Sequence, residues 1–223
     1  AVVLDATASS NLLCQLFDDK AVVVPTPSGA RSYANATLRV ARVNGVGKGK
    51  MVAQAKERSA LLVESLKANL PVDRSVLVVA HKGVEPFLVG QDAPFQRWDV
   101  AHYGAIDGRN EWQAHDTVVI FGLPYRDRIW STNTFMALQG LQSNEWLAGD
   151  TSRRFNDFED IRQSLEEGQL VVQIVQALNR VRSRRVVDAD GNCASVDAFI
   201  VLPKDRTGDA VLAGIKAEMP GIK

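Results

Sequence analysis

The stretch SVLVVA, residues 75–80, decides the fold, because every position after the serine is apolar and the run ends on the polar residues His81 and Lys82. A second run, TVVIF at residues 117–121, has the same character. Strands that are apolar at nearly every position are typical of parallel sheets covered by helices on both faces. The two runs therefore predict central strands of an α/β protein.

Other short β-branched runs alternate with longer segments of helical periodicity, which predicts a mostly parallel sheet with crossover helices. We expect a three-layer α/β sandwich. The further strands are expected at Val2–Asp5, Ala21–Val24, Thr37–Val43, Val100–Tyr103 and Val196–Leu202. The helices are expected at Met51–Leu70, Phe158–Arg182 and Thr207–Glu218.

Composition narrows the class of protein. The 223 residues, 46% of them hydrophobic, are enough for one large domain and exclude a disordered chain. Because 26 basic residues balance 26 acidic ones, any nucleic-acid binding must be confined to a local patch. No apolar run reaches the roughly 20 residues that cross a bilayer, so we expect a soluble, cytoplasmic protein. The distant Cys14 and Cys193 predict neither a disulfide framework nor a zinc site.

The glycine-rich segment GVGKGK at residues 45–50 invites comparison with a phosphate-binding loop. Such a loop needs the spacing G-x-x-x-x-G-K followed by serine or threonine, and Met51 stands where that hydroxyl would be. We therefore expect a flexible turn, and no site that holds a nucleoside triphosphate in that way within this chain.

The segment QLVVQIVQALNRVRSRR, residues 169–185, predicts an amphipathic helix with a polar row. At about 100° per residue, Gln169, Gln173, Gln176 and Arg180 fall within about 60° of one another, and apolar residues occupy the remaining face. An arginine at the end of such a row can bind a γ-phosphate through its planar guanidinium group. A solvated helix face with a basic carboxyl end explains the pattern equally well at this point.

Two further segments lie where α/β proteins gather ligands, at the carboxyl ends of strands. His81 and Lys82 follow the strand at residues 75–80, and HYGAIDGRNEW at residues 102–112 follows another. Gly108 would allow a close backbone approach and Asn110 could bond a phosphate, although a plain connecting turn is the alternative. The three histidines share no obvious ligand spacing, so no metal site is predicted.

Taken in order, these segments resemble the second RecA-like domain of superfamily 2 helicases, especially the bacterial and phage proteins related to the DEAD/DEAH group. Val3–Thr7 resembles motif III, and Val78–Lys82 resembles motif IV. Gly108–Asn110 with Val118–Pro124 resembles motif V, and Gln176–Arg180 resembles motif VI, usually Q-x-x-G-R-x-x-R.

The chain departs from the family pattern in motif VI. Asn179 stands where the family has glycine, and Ser183 stands at the expected place of the second arginine. Arg182 and Arg184 flank that place. Continued helical geometry would put Arg184, and not Arg182, on the same face as Arg180.

The resemblance implies an ATP-dependent helicase or translocase whose ATP and Mg²⁺ are held mainly by a first RecA-like domain that this chain lacks. Residues 1–35 would then lie at the boundary with that domain and residues 36–223 would form the second one, inactive alone. Single- or double-stranded nucleic acid would be its partner, with DNA favoured over RNA. The catalytic residues implied are Gln176, Arg180 and Arg184; the nucleotide-binding residues are Gly108, Asn110 and Arg182; the nucleic-acid-binding residues are His81, Lys82 and Arg109.

Other interpretations stay open at the level of sequence. A non-catalytic α/β module could dock a polyanion on the basic cluster formed by Arg180, Arg182, Arg184 and Arg185. A small-molecule enzyme on the same fold is less well supported, because no nucleophile–base pair or dinucleotide glycine fingerprint stands out. Trp98 or Trp112 could stack on a base, with core packing as the competing interpretation.

Overall fold

The fold is seen in a computed structural model that describes Val24, Pro27 and residues 29–127, 129–149 and 153–223. The expected strand at Val2–Asp5, the segment resembling motif III and the first three residues of the expected strand at Ala21–Val24 lie outside the described residues, and Val24 itself is not in a strand. Tyr33 packs into the core with 4% of its surface exposed, so the folded unit includes residues that precede β1.

Five parallel strands form one sheet in the order β1-β5-β4-β2-β3. Their bounds are β1 Ala36–Arg42, β2 Ser75–Ala80, β3 Arg97–His102, β4 Thr117–Phe121 and β5 Val196–Leu202. β2, β4 and β5 have the bounds predicted from sequence. β1 lies one residue earlier than predicted, and β3 starts three residues earlier because it continues across polar positions at the sheet edge.

Seven helices flank the sheet in the described residues. They are α1 Lys48–Ala53, α2 Ala55–Asn69, α3 Glu85–Val89, α4 Trp130–Gln139, α5 Asn144–Ala148, α6 Ile161–Leu178 and α7 Arg206–Glu218. None of them is long and apolar enough to span a membrane.

Two of the helix predictions need correction. The expected single helix at Met51–Leu70 is interrupted at Gln54, and α1 already begins at Lys48. The flexible turn predicted for residues 45–50 is therefore wrong in its second half, which is helical. The expected helix at Phe158–Arg182 is shorter at both ends, because Asp160 caps α6 by accepting bonds from the amides of Arg162 and Gln163 and the helix ends at Leu178.

The sheet separates two apolar layers, as a strand with alternating side chains requires. Leu77 and Val79 of β2 pack with α6 and α7 on one face, while Val76 and Val78 pack with α1, α2 and α3 on the other. Central strands buried on both faces explain why SVLVVA is apolar at every position after its serine. The α/β class with helices on both faces of a parallel sheet is confirmed.

Candidate functional site

The carboxyl ends of β2, β3 and β4 meet at one edge of the sheet, and a cavity of about 430 Å³ lies there. His81 follows β2 directly, Tyr103 follows β3, and the segment 122–126 follows β4. We call this space the carboxyl-edge cavity. Four residues of α6 also line it, namely Gln169, Val172, Gln173 and Gln176.

His81 forms a buried part of the cavity wall, with only 7% of its surface exposed. Its ring lies at a tilt against Tyr103, with 5.7 Å between the ring centroids. Its Nε2 is buried and forms no well-aligned hydrogen bond with any of the described residues. The backbone at Val46 and Leu123 is nevertheless close enough to raise the pKa of the ring. Burial outweighs this effect and lowers the pKa of His81, and the charge of Lys48 lowers it further.

Gly122 permits the tight turn that brings the chain from β4 past His81. Its φ is +106°, a backbone conformation that side chains rarely adopt. A Cβ there would lie 3.2 Å from both the His81 ring and the Val46 carbonyl oxygen. The Gly122 carbonyl accepts a 2.8 Å hydrogen bond from the Tyr103 hydroxyl, which joins the ends of β3 and β4.

The glutamine part of the predicted polar row is confirmed as a shared face, since all three side chains reach the same cavity. When the Gln173 amide is oriented with its oxygen toward Arg126, that oxygen accepts from the Arg126 guanidinium group and, at 3.0 Å, from Gln169 Nε2. α6 is thereby joined to the segment that follows β4. Sequence reasoning missed Arg126 and its neighbour Tyr125, although their place after a buried strand was a usable signal.

Arg180 lies past the end of α6 and contacts the loop between β3 and β4. Its Nη1 donates to the carbonyl oxygen of Arg109 at 3.2 Å, and its Nη2 is 3.9 Å from a carboxylate oxygen of Asp107. Its side chain is 14% exposed, and its Nε is buried with no partner among the described residues. The carboxylate is 65% exposed and too distant for a hydrogen bond, so among the described residues the guanidinium group has only this loose ion pair.

The segment after Arg180 does not continue the helix, which corrects the prediction that Arg184 shares a helix face with Arg180. Residues 182–184 form a 3₁₀ turn instead. The Nη1 of Arg184 nevertheless donates to Asn110 Oδ1 at 2.6 Å, so Arg180 and Arg184 both reach the same loop. Arg182 turns elsewhere, and its Nε donates to the carbonyl oxygen of Ser195 at 2.6 Å beside the amino end of β5.

The loop that receives these arginines spans residues 103–116. Gly108 has a φ of +71° with open space where a side chain would lie, so its backbone is accessible from outside. Arg109 is exposed, forms a 2.6 Å ion pair with Glu111, and lies over the Trp112 ring at 5.1 Å. Trp112 is only 5% exposed, which supports core packing over base stacking for this residue.

Other residues singled out from the sequence lie apart from this loop. Trp98 stacks on Phe95, and its Nε1 donates to the Leu88 carbonyl oxygen, so it too is engaged in packing. Lys82 is exposed directly after the buried His81.

Asn179 has a structural function that the sequence did not signal. Its Oδ1 accepts hydrogen bonds from Arg31 Nη2 and from the Tyr33 hydroxyl, both at 3.0 Å. Its Nδ2 donates to the Val175 carbonyl oxygen at 3.0 Å, which also accepts from the backbone amide of Asn179 at the end of α6. A glycine, the residue expected from the family pattern, could form none of these side-chain bonds.

Comparison with known proteins adds no relative. No protein-family model matches the sequence, and a search of curated proteins finds no match. Among the described residues, no group of three or more histidine, cysteine, aspartate or glutamate side chains could hold a metal ion.

Proposed function

We propose that this chain is the second RecA-like domain of an ATP-dependent helicase or translocase of superfamily 2, and that it supplies an arginine finger and part of a nucleic-acid track. One observation carries the proposal. Two segments that resemble separate motifs, about 70 residues apart in sequence, meet through the bonds of Arg180 to the Arg109 carbonyl and of Arg184 to Asn110. The five-stranded parallel sheet is compatible with a RecA-like domain.

In this proposal Arg180 acts on ATP and Mg²⁺ that are held mainly by a first RecA-like domain. Its guanidinium group exchanges the neutral carbonyl of Arg109 for γ-phosphate oxygens, which accept stronger, charge-assisted hydrogen bonds. Arg184 is the better second arginine, since it is exposed and bonded to an amide side chain, whereas Arg182 is bonded to a carbonyl at the amino edge.

The same exchange offers a route from the nucleotide to the nucleic acid. Release of the Arg109 carbonyl frees the loop that carries Arg109 itself, one of the exposed cations expected to contact a phosphate backbone. Lys82 is the second exposed cation. His81 is buried, so in this proposal it supports that edge of the sheet and does not contact the strand itself. Closure on ATP and reopening after hydrolysis would then alternate the grip on a strand, with DNA as the favoured polymer.

The test substitutes Arg180 by alanine in a protein that carries this domain together with its partner domain. We expect steady-state ATP turnover to fall on the order of 10³-fold, as for other arginine fingers, with ATP affinity mostly retained. Arg206→Ala, an exposed arginine at the start of α7, is the matched control and should leave turnover unchanged. An Arg180→Ala protein with normal turnover would remove the finger from the proposal.

A non-catalytic module that docks a polyanion is the second candidate, and the exposure of Arg184 and Arg185 favours it. It predicts that turnover is indifferent to Arg180, whereas the Arg184→Ala and Arg185→Ala variants each weaken binding to any polyanion, including heparin. The helicase domain predicts strong dependence of turnover on Arg180 and only modest losses on removal of Arg185. The same set of variants therefore separates the two functions.

A further inference from the structure

The carboxyl-edge cavity has the size of a small-ligand site, since such sites occupy roughly 300–1,000 Å³ and this one occupies about 430 Å³. It lies at the carboxyl edge of the sheet, where the exposed Lys82 directly follows His81. The buried His81 forms part of its wall.

The lining combines amide groups with an accessible aromatic ring. Besides the bond between them, Gln169 presents its amide oxygen and Gln173 its amide nitrogen, an acceptor and a donor of the kind that the edge of a nucleobase also carries. Tyr125 is 45% exposed, so its ring is open to a planar partner. Recognition of single strands uses this combination, with an unstacked base lying on an aromatic ring and its edges bonded by polar side chains.

The charges at the cavity favour an anionic ligand. Lys48 and Arg126 contribute two cations to the lining, against the single carboxylate of Asp107. Lys48 is exposed at the first residue of α1, and the exposed Arg126 bonds to Gln173 through its guanidinium group. A phosphate beside the base would thus meet positive charge at the rim and amide groups deeper in the cavity.

We propose that the carboxyl-edge cavity binds one unstacked nucleotide of a single strand, with its base between Tyr125 and the amides of Gln169 and Gln173 and its phosphate near Lys48. This inference rests on the proposed function, because it assigns a base-reading site to the nucleic-acid track. The affinity for a strand would then depend on its bases, and not only on contacts with its phosphates.

The experiment measures binding of this chain to fluorescein-labelled ten-nucleotide strands by fluorescence anisotropy, using oligo-dA, oligo-dT and an abasic strand of the same length. We expect the base-containing strands to bind on the order of tenfold more tightly than the abasic one. The variant Tyr125→Ala should remove most of that difference. Tyr125 is partly exposed and lies outside α6. Tyr125→Ala therefore still tests the site if substitutions in α6 disturb folding.

Gln173→Leu tests the amide contacts, and Gln163→Leu is its matched control. Gln163 lies in the first turn of the same helix, outside the cavity, where its Nε2 bonds to Glu167 at 2.7 Å. Gln173→Leu should change the ratio of oligo-dA to oligo-dT affinity several-fold and leave the salt dependence of binding unchanged. Lys48→Ala should instead lower the slope of log affinity against log salt by about one.

Each result has a distinct meaning. Equal affinity for abasic and base-containing strands overturns the nucleotide cavity and leaves a phosphate-only track in place. Equal effects of Gln173→Leu and Gln163→Leu overturn the assignment of the amides. If no strand binds, the proposed nucleic-acid track and the cavity both fail, whereas the Arg180 turnover experiment still tests the ATP part of the proposed function.

Discussion

The polar row of α6 divides into a glutamine half, which lines the carboxyl-edge cavity, and an arginine half, which contacts the loop at residues 103–116. The glutamines lie within the helix, where a repeat of 3.6 residues sets their common face. Arg180 lies beyond the last helical residue, Leu178, so its direction is set by tertiary contacts. The difference shows that a helical repeat predicts a shared face only up to the end of the helix.

The apolar face of α6 holds both halves in position, and its removal is expected to have the largest effect. Ile174 is fully buried against the sheet, so Ile174→Ala should lower the free energy of unfolding by about 2–5 kcal/mol. Val172 lies half-buried on the cavity side, so little apolar surface is lost and Val172→Ala should cost about 1 kcal/mol or less. Urea denaturation measures both values, and equal losses would show that the apolar face does not anchor the helix.

The wall of the carboxyl-edge cavity depends on the turn at Gly122, and Gly122→Ala should destabilise the protein by about 1–3 kcal/mol. The positive φ and the contacts of a Cβ with His81 and the Val46 carbonyl are the cause. Gly49→Ala is the control, because Gly49 is helical and has open space, so it should gain up to about 1 kcal/mol. Thermal unfolding distinguishes them, and a neutral Gly122→Ala would mean that the turn is readily remodelled.

The arginine half depends on Asn179, and Asn179→Gly should cost about 1–2 kcal/mol through the loss of its side-chain hydrogen bonds. A double-mutant cycle with Tyr33→Phe isolates the bond between the two side chains. The combined loss should be smaller than the sum of the single losses, since both changes remove the same bond. Strict additivity would show that this contact contributes nothing to the attachment of residues 31–33.

The fold could be predicted where burial dictates the residue type. β2 and β4 have their predicted bounds because strands covered on both faces leave a nearly unbroken apolar run, and β5 has them because it is apolar at every position except Asp197. The short helices α3, α4 and α5 were not predicted, since five to ten residues hold too few turns for a periodic pattern.

The candidate site was predictable in its parts and not in its arrangement. The rule that ligands lie at carboxyl ends of strands identified His81, but not that the side chain would be buried in a wall. The pairing of Arg184 with Asn110 joins residues 74 positions apart and could not be read from local spacing. Asn179 shows the same limit, because its partners Arg31 and Tyr33 come from a distant segment.

The smallest expected effect is on the pH dependence of stability. Two buried histidines contribute to it, His81 in the wall of the carboxyl-edge cavity and His115 beside the arginine half. Burial lowers the pKa of His81, and the charge of Lys48 adds to the shift. The backbone carbonyl of His115 accepts a hydrogen bond from the amide of Arg182. Burial also lowers the pKa of His115. The charge of Arg97 lowers it further, while nearby acidic side chains oppose the shift.

Since the unfolded chain binds these protons near pH 6.5 and the folded protein does so only at lower pH, the free energy of unfolding should fall as pH drops below about 6.5. Urea midpoints at pH 7.5, 6.5 and 5.5 measure this decline. His81→Gln and His115→Gln should each flatten it by removing one of the two groups. A larger flattening for His81→Gln would show that the wall of the carboxyl-edge cavity carries more of the dependence than the arginine half. A midpoint that stays constant or rises on acidification would contradict the burial of both rings in their neutral form.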